Sequence, residues 1–172
     1  MSQKHYAPLF KTFAWLREHD AIDSNCERVL RMVSKRYKKV MVCGNPNSGK
    51  NTVANTIFAY WHELGTEAVF TPTVNCKTPG GFTSTPSWKS YRPCFATGTP
   101  LIMPMRYEQE YYGEQCLPGL FTAAKNFDVI VDCRSLPDGT RLVSQVWLRR
   151  GKDWRCLYRS PAFASLQIGC AA

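Results

Sequence analysis

Apolar residues return every three or four positions in three stretches of the chain. Between Ala7 and His19, Leu9, Phe10, Phe13 and Leu16 fall on one side, with Lys11, Arg17 and Glu18 opposite, which predicts a short amphipathic helix. Asp20-Ala21-Ile22-Asp23 interrupts it. Ser24 with Glu27 three residues on is a capping-box pattern, so a second helix is expected from Ser24 to about Arg36, with Val29, Leu30 and Val33 as its buried stripe. Further on, Val53, Ile57, Phe58 and Trp61 form the core face of a third helix, over Thr52 to Trp61, and Gly65 stops the segment.

Other segments carry strand patterns. Lys39 to Cys43 reads as a buried strand, Glu67 to Phe70 as a short one, and Phe127 to Asp132 as a β-branched run ending in an acid. Leu136-Pro137-Asp138-Gly139-Thr140 is a tight-turn signal leading into Arg141 to Leu148, which alternates as a half-buried strand does. A further turn at Gly151 precedes Trp154 to Tyr158, so the end of the chain reads as an antiparallel meander, with Arg149, Arg150, Lys152, Arg155 and Arg159 on its exposed side. From Thr71 the prolines at 72, 79, 86, 93 and 100 break any helix, and residues 71–117 read as an irregular Pro-rich insert. Short extended pieces joined by turns, or a partner-contacting loop using Phe82, Trp88, Tyr91 and Phe95, both fit that insert.

The chemistry concentrates at Gly44-Asn45-Pro46-Asn47-Ser48-Gly49-Lys50-Asn51-Thr52. Here the phosphate-loop spacing G-x-x-x-x-G-K lies between a predicted strand and a predicted helix. Glycines let the backbone turn at positive φ, so that successive N–H groups face a di- or triphosphate and the helix dipole adds to their pull. Gly44, Asn45, Asn47, Ser48, Gly49, Lys50, Asn51 and Thr52 are therefore the expected nucleotide contacts, and Lys50 is expected to reach the β- and γ-phosphates. Where such loops place a Ser or Thr hydroxyl on Mg²⁺, this chain has Asn51, whose neutral amide oxygen is a poorer partner for a hard cation. Thr52 supplies the hydroxyl if the helix starts one residue out of register. Asp132, at the end of an apolar strand, is the candidate carboxylate for the metal. Glu108 and Glu110, beside Tyr107, Tyr111 and Tyr112, are the candidates to polarise water.

With 172 residues, 44% of them hydrophobic, the chain suits one sizeable core, so residues 1–172 are read as one domain with 1–38 as a helical lead-in. The formal charge of +9 suits nucleic acid, an acidic protein surface or anionic lipid, but it lies in separate segments with no long basic run. Lys35, Arg36, Lys38 and Lys39 complement a helix C-terminus as readily as they contact phosphate. Eight scattered cysteines without C-x-x-C, and no signal-peptide pattern, predict free thiols in the cytoplasm.

The run FAWLREHDAIDSNCERVLRMVSKRYKKVMVCGNPNSGKNTVANTIF, Phe13 to Phe58, resembles the traffic ATPases of conjugative transfer and type IV secretion, where two helices lead into the strand, phosphate loop and helix of a RecA-like domain. The tail FDVIVDCRSLPDGTRLVSQVWL is similar to the late strand, turn and strand that close that domain. The resemblance implies an α/β, three-layer P-loop NTPase core of RecA-like type, ending here in the antiparallel meander. It also implies ATP and Mg²⁺ as cofactors and assembly as a homo-oligomer, or a hetero-oligomer with a related ATPase, on a peripheral membrane apparatus. In such rings a neighbour's arginine completes the site, a role for which Arg141, Arg149 or Arg150 is placed. The resemblance implies a shortened, divergent relative, expected to be without the family's histidine box and separate N-terminal domain, since no histidine follows His62, and the chain has Gly49-Lys50-Asn51-Thr52 where members show Gly-Lys-Thr-Thr. The segment GNPNSGKNTVANTI also resembles superfamily 3 viral replication helicases, which implies single-stranded nucleic acid as a partner. A non-hydrolysing P-loop adaptor and a small-molecule kinase are further readings of the same loop.

Overall fold

A computed structural model describes residues 11–71, 73–76, 92–107, 121 and 124–164. Its elements are α1 (Phe13–Glu18), α2 (Ser24–Arg36), β1 (Lys39–Gly44), α3 (Lys50–Glu63), β2 (Val69–Phe70), β3 (Val74–Cys76), α4 (Arg92–Ala96), β4 (Leu101–Tyr107), β5 (Val129–Ser135), β6 (Arg141–Arg150) and β7 (Asp153–Arg159). The chain is α/β. A seven-stranded sheet runs in the order β2-β4-β1-β5-β6-β7, with β3 also paired to β4. β2, β3, β4, β1 and β5 are parallel, and β6 and β7 close the sheet as an antiparallel meander.

Side-chain alternation along β1 and β5 builds two cores. Val40, Val42, Val129 and Val131 face α1, α2 and α3, where Leu16, Leu30, Val33, Ile57 and Trp61 are buried against them. Met41, Cys43 and Ile130 point to the other face and pack with Met103, Met105 and Phe127. Both faces of β1 are covered, which is why it reads as a continuous apolar run. Helices α2 and α3 are tied by the Trp61 indole N–H, which donates to the Ser34 carbonyl at 2.7 Å.

Two details differ from the sequence reading. Asp23, not Ser24, caps α2: its Oδ1 accepts from the Cys26 N–H at 2.7 Å. Glu27 pairs instead with Arg31 and Arg17 on the helix surface. A carboxylate at the cap favours the positive end of the dipole more than a hydroxyl does, and Asp23 Oδ2 also accepts from the Tyr158 hydroxyl at 3.0 Å, fixing α2 to β7.

The second difference is larger and lies in the Pro-rich segment, where Pro93 sits in the first turn of α4 instead of breaking a helix, because no intrahelical N–H bond is lost there. Residues 101–107, assigned above to the irregular insert, form β4 in the middle of the sheet with every main-chain position from Leu101 to Arg106 in register with β1. Proline is rare inside a sheet because it cannot donate to a ladder. Pro104 is accommodated because the outer ladder is interrupted beside it: β2 pairs up to Ile102 and β3 resumes at Met105. Lys39 holds the segment before β4 by donating from Nζ to the carbonyls of Cys94 and, at 2.8 Å, Thr99.

The sheet order sets where a ligand can reach. The chain leaves β1 toward β2, returns to β4, and then crosses to the other flank of β1 as β5. The crevice beyond the C-terminal ends of β1 and β5 is thus a topological switch point, the usual ligand position in open α/β sheets. The Gly44–Lys50 connection opens into it. Cys26, Cys43, Cys94, Cys133 and Cys156 are free thiols, as expected. Among the described residues no helix is long and apolar enough to cross a membrane.

Candidate functional site

β1 ends at Gly44, whose backbone lies so close to β5 that a Cβ there would stand 2.5 Å from the Cys133 carbonyl oxygen, with Ser48 Oγ nearer still. Only glycine fits. The chain then turns through Asn47 at φ 60° and Gly49 at φ 82°, both in the left-handed region, before α3 begins at Lys50. Gly49 is the N-cap and supplies no side-chain hydrogen bond, so the first-turn N–H groups of α3 have no capping side chain. Within the loop, the Ser48 hydroxyl and the Asn45 amide oxygen are buried without a hydrogen-bond partner.

Lys50 is 6% exposed and folds back over the loop, donating from Nζ to the Asn45 carbonyl at 3.1 Å. Burial pushes its pKa below the ordinary lysine value; Cys133 and Cys43 oppose that shift and the Arg106 guanidinium adds to it. An ammonium so placed is short of counter-charge, the condition in which a phosphate oxygen gains most from reaching it.

Around the loop opens a cavity of about 440 Å³, lined among others by Asn47, Lys50, Asn51, Thr73, Arg106 and Arg141. Arg106 arrives from β4, in register with Gly44. Arg141 opens β6, and its Cβ lies 3.7 Å from where a Cβ on Gly49 would be. Three cationic side chains from three elements thus meet at one loop, a convergence that fits an anion carrying several charges.

A family-model scan and a search of curated proteins return no match.

Of the residues read as a metal site, two stand at the cavity and one does not. Asn51 lines it, but its amide oxygen accepts from Thr73 Oγ1 at 3.1 Å, which leaves its NH₂ as the free end. Thr52 also lines it, and follows Lys50 into the first turn of α3. Asp132 lies one register step behind Gly44, on the face of the sheet away from α3, and is 2% exposed. Its Oδ2 accepts from Ser144 Oγ at 2.7 Å and from Arg134 Nε at 3.0 Å, while Cys43 Sγ donates to Oδ1 at 3.7 Å. The alternation of β5 explains the placement: Cys133 takes the face toward the loop, so its neighbour Asp132 turns away. Glu108 and Glu110 lie outside the described residues.

Mg²⁺ asks for hard oxygen donors, commonly carboxylates, with phosphate and water. The described lining of the loop cavity holds three cations and no carboxylate. Among the described residues, no group of three or more His, Cys, Asp or Glu side chains is placed to hold a metal ion. The described donors do not fit Mg²⁺.

In the sequence Arg106 read only as one of the charges beside Tyr107, with no tie to the loop, because the strand that delivers it is disguised by Pro104. Arg141, read in the sequence with Arg149 and Arg150 as an arginine for a neighbour's site, stands beside the loop of its own chain. Arg149 lies at the opposite end of the ten-residue β6, paired with Asp128 Oδ1 at 3.9 Å and donating to the Lys125 carbonyl.

Proposed function

We propose that the chain binds a nucleoside polyphosphate, ATP in the first instance, with its phosphates over the Gly44–Lys50 loop, in a P-loop core of the RecA-like kind. The observation that carries this is the meeting of Lys50, Arg106 and Arg141 at a left-handed, glycine-built loop that opens a long helix. The backbone N–H groups bind equatorial phosphate oxygens, Lys50 exchanges the Asn45 carbonyl for a β- or γ-oxygen, and the two arginines neutralise the charge that remains. The biological setting that fits is an ATPase-like component of a conjugation or secretion apparatus, working as an oligomer with copies of itself or with a related ATPase. Nucleotide-dependent assembly, with turnover low, is the form of activity that this donor set favours.

Calorimetric titration of ATP into the native chain and Lys50→Ala tests the site. The native chain should bind and the variant should lose at least about tenfold in affinity, the usual worth of one hydrogen bond to a charged group. Equal affinities would remove Lys50 from the phosphates. Asn51→Thr restores a hydroxyl at the motif's metal position, and it should make binding or turnover respond to Mg²⁺ where the native chain responds little.

A further inference from the structure

A second cavity, of about 350 Å³, opens on the other side of the phosphate loop and shares Gly49, Thr52 and Arg141 with the first. Its far walls are the end of α1, with Trp15, His19 and Asp20, and the Gly139–Leu142 turn into β6. The two walls are fixed to each other, because the Val143 N–H donates to the Ala21 carbonyl at 2.9 Å. The volume is at the lower end of the range that small-molecule sites occupy.

The chemistry of the walls is specific. Trp15 and His19 stack, with ring centroids 3.8 Å apart and 23° between planes, which makes an aromatic wall one helical turn long. His19 Nδ1 is occupied with the Trp15 carbonyl at 2.9 Å, so its outward ring face and its other nitrogen are what it offers. Asp20 follows at φ 54°, in the left-handed position that ends a helix. There the Ala21 N–H bonds back to the Leu16 carbonyl and the Asp20 N–H to the Arg17 carbonyl. Glycine is the usual residue at that place because a Cβ is penalised. This chain keeps a carboxylate there, and among the described residues that carboxylate has no hydrogen-bond or ion-pair partner.

We infer that this cavity takes the nucleoside of the bound nucleotide, with the ribose hydroxyls donating to the Asp20 carboxylate and the base lying against the His19–Trp15 stack. The inference rests on the phosphate-loop reading, since Arg141 and Gly49 are the wall common to both cavities and a nucleotide is a ligand that fills both. It adds what that reading leaves open: where the nucleoside lies, and that the residues which choose it, Trp15 on α1 and His19 and Asp20 at its C-terminal end, stand more than twenty residues before the loop.

The test compares ATP with inorganic tripolyphosphate, which occupies the phosphate loop alone, by calorimetry on the native chain, Asp20→Gly and His19→Ala. Native protein should prefer ATP by at least about tenfold. Asp20→Gly should cut ATP affinity by about the same factor, leave tripolyphosphate unchanged, and melt no lower than the native chain, because glycine suits the backbone at that position. His19→Ala should weaken ATP selectively in the same way. Equal affinity of the native chain for the two ligands, or full ATP affinity in both variants, overturns the nucleoside site and leaves the phosphate loop standing. Failure of both ligands to bind the native chain removes the phosphate-loop reading, and this inference with it.

Discussion

Lys50 joins burial to charge, and its protonation is where the site becomes measurable. Burial lowers its pKa in the free fold, so it releases its proton at a lower pH than an ordinary lysine. The unfolded chain then holds more protons across that window, and the free fold gains stability as pH rises through it. Phosphate acts in the opposite direction, because it favours the ammonium and raises the pKa. Binding in alkaline buffer should therefore take up a proton, and affinity should fall as pH climbs through the free-state pKa of Lys50. Calorimetry in two buffers of different ionisation enthalpy measures the uptake, and Lys50→Arg, which does not titrate there, should abolish it. No uptake by the native chain would place Lys50 away from the phosphates. Asp132 makes the contrasting case at this scale: an acid at the end of an apolar strand looked like a metal ligand, but one residue of alternation turned it to the far face, where Arg134 and Ser144 hold it.

At the scale of elements, α2 shows how one side chain serves both a helix end and the tertiary fold. Asp23 caps the helix and accepts from Tyr158 across 135 positions of sequence. Asp23→Ala should cost about 2 kcal/mol, combining a lost cap with a hydroxyl left short of its partner. Asp23→Asn should recover part of that loss. Denaturant melts of both variants check the ranking, and an alanine variant as stable as the native chain would show that the cap is satisfied from elsewhere. The helices and the meander were legible from periodicity and turn residues, because each signal is local: Gly139 and Gly151 both adopt positive φ where the turns were expected. β4 was not legible. Its pattern, Leu101-Ile102-Met103-Pro104-Met105-Arg106, carries a proline whose tolerance depends on a break in a neighbouring strand pair.

At the scale of the whole molecule, the basic side chains of the described residues fall into separate groups. Lys50, Arg106 and Arg141 meet at the Gly44–Lys50 loop, Arg17, Arg28, Arg31, Lys35 and Arg36 line a groove along α2 whose described lining has no aromatic residue, Arg134 pairs with Asp132, and Arg149 is tied to Asp128 at the other end of β6. A single-strand-binding groove needs basic and aromatic side chains along one track. Titration with a labelled oligonucleotide should accordingly show weak binding that disappears toward physiological salt, the behaviour of a diffuse positive surface. Saturable, length-dependent binding at that salt would favour a helicase-like role over one in a secretion apparatus.

What the sequence determined by itself was whatever depends on neighbours a few positions away: the strand, glycine loop and helix around Lys50, the period of the three helices, and the turns of the meander. Tertiary structure decided everything that depends on which strands lie side by side. It set β4 against β1 and so brought Arg106 to the loop, and it placed Arg141 beside Gly49. It turned Asp132 away, and it closed α1 over the β5–β6 turn to make the second cavity. These outcomes follow from strand order and register, which the pairing of residues sixty to ninety positions apart establishes and which no local pattern encodes.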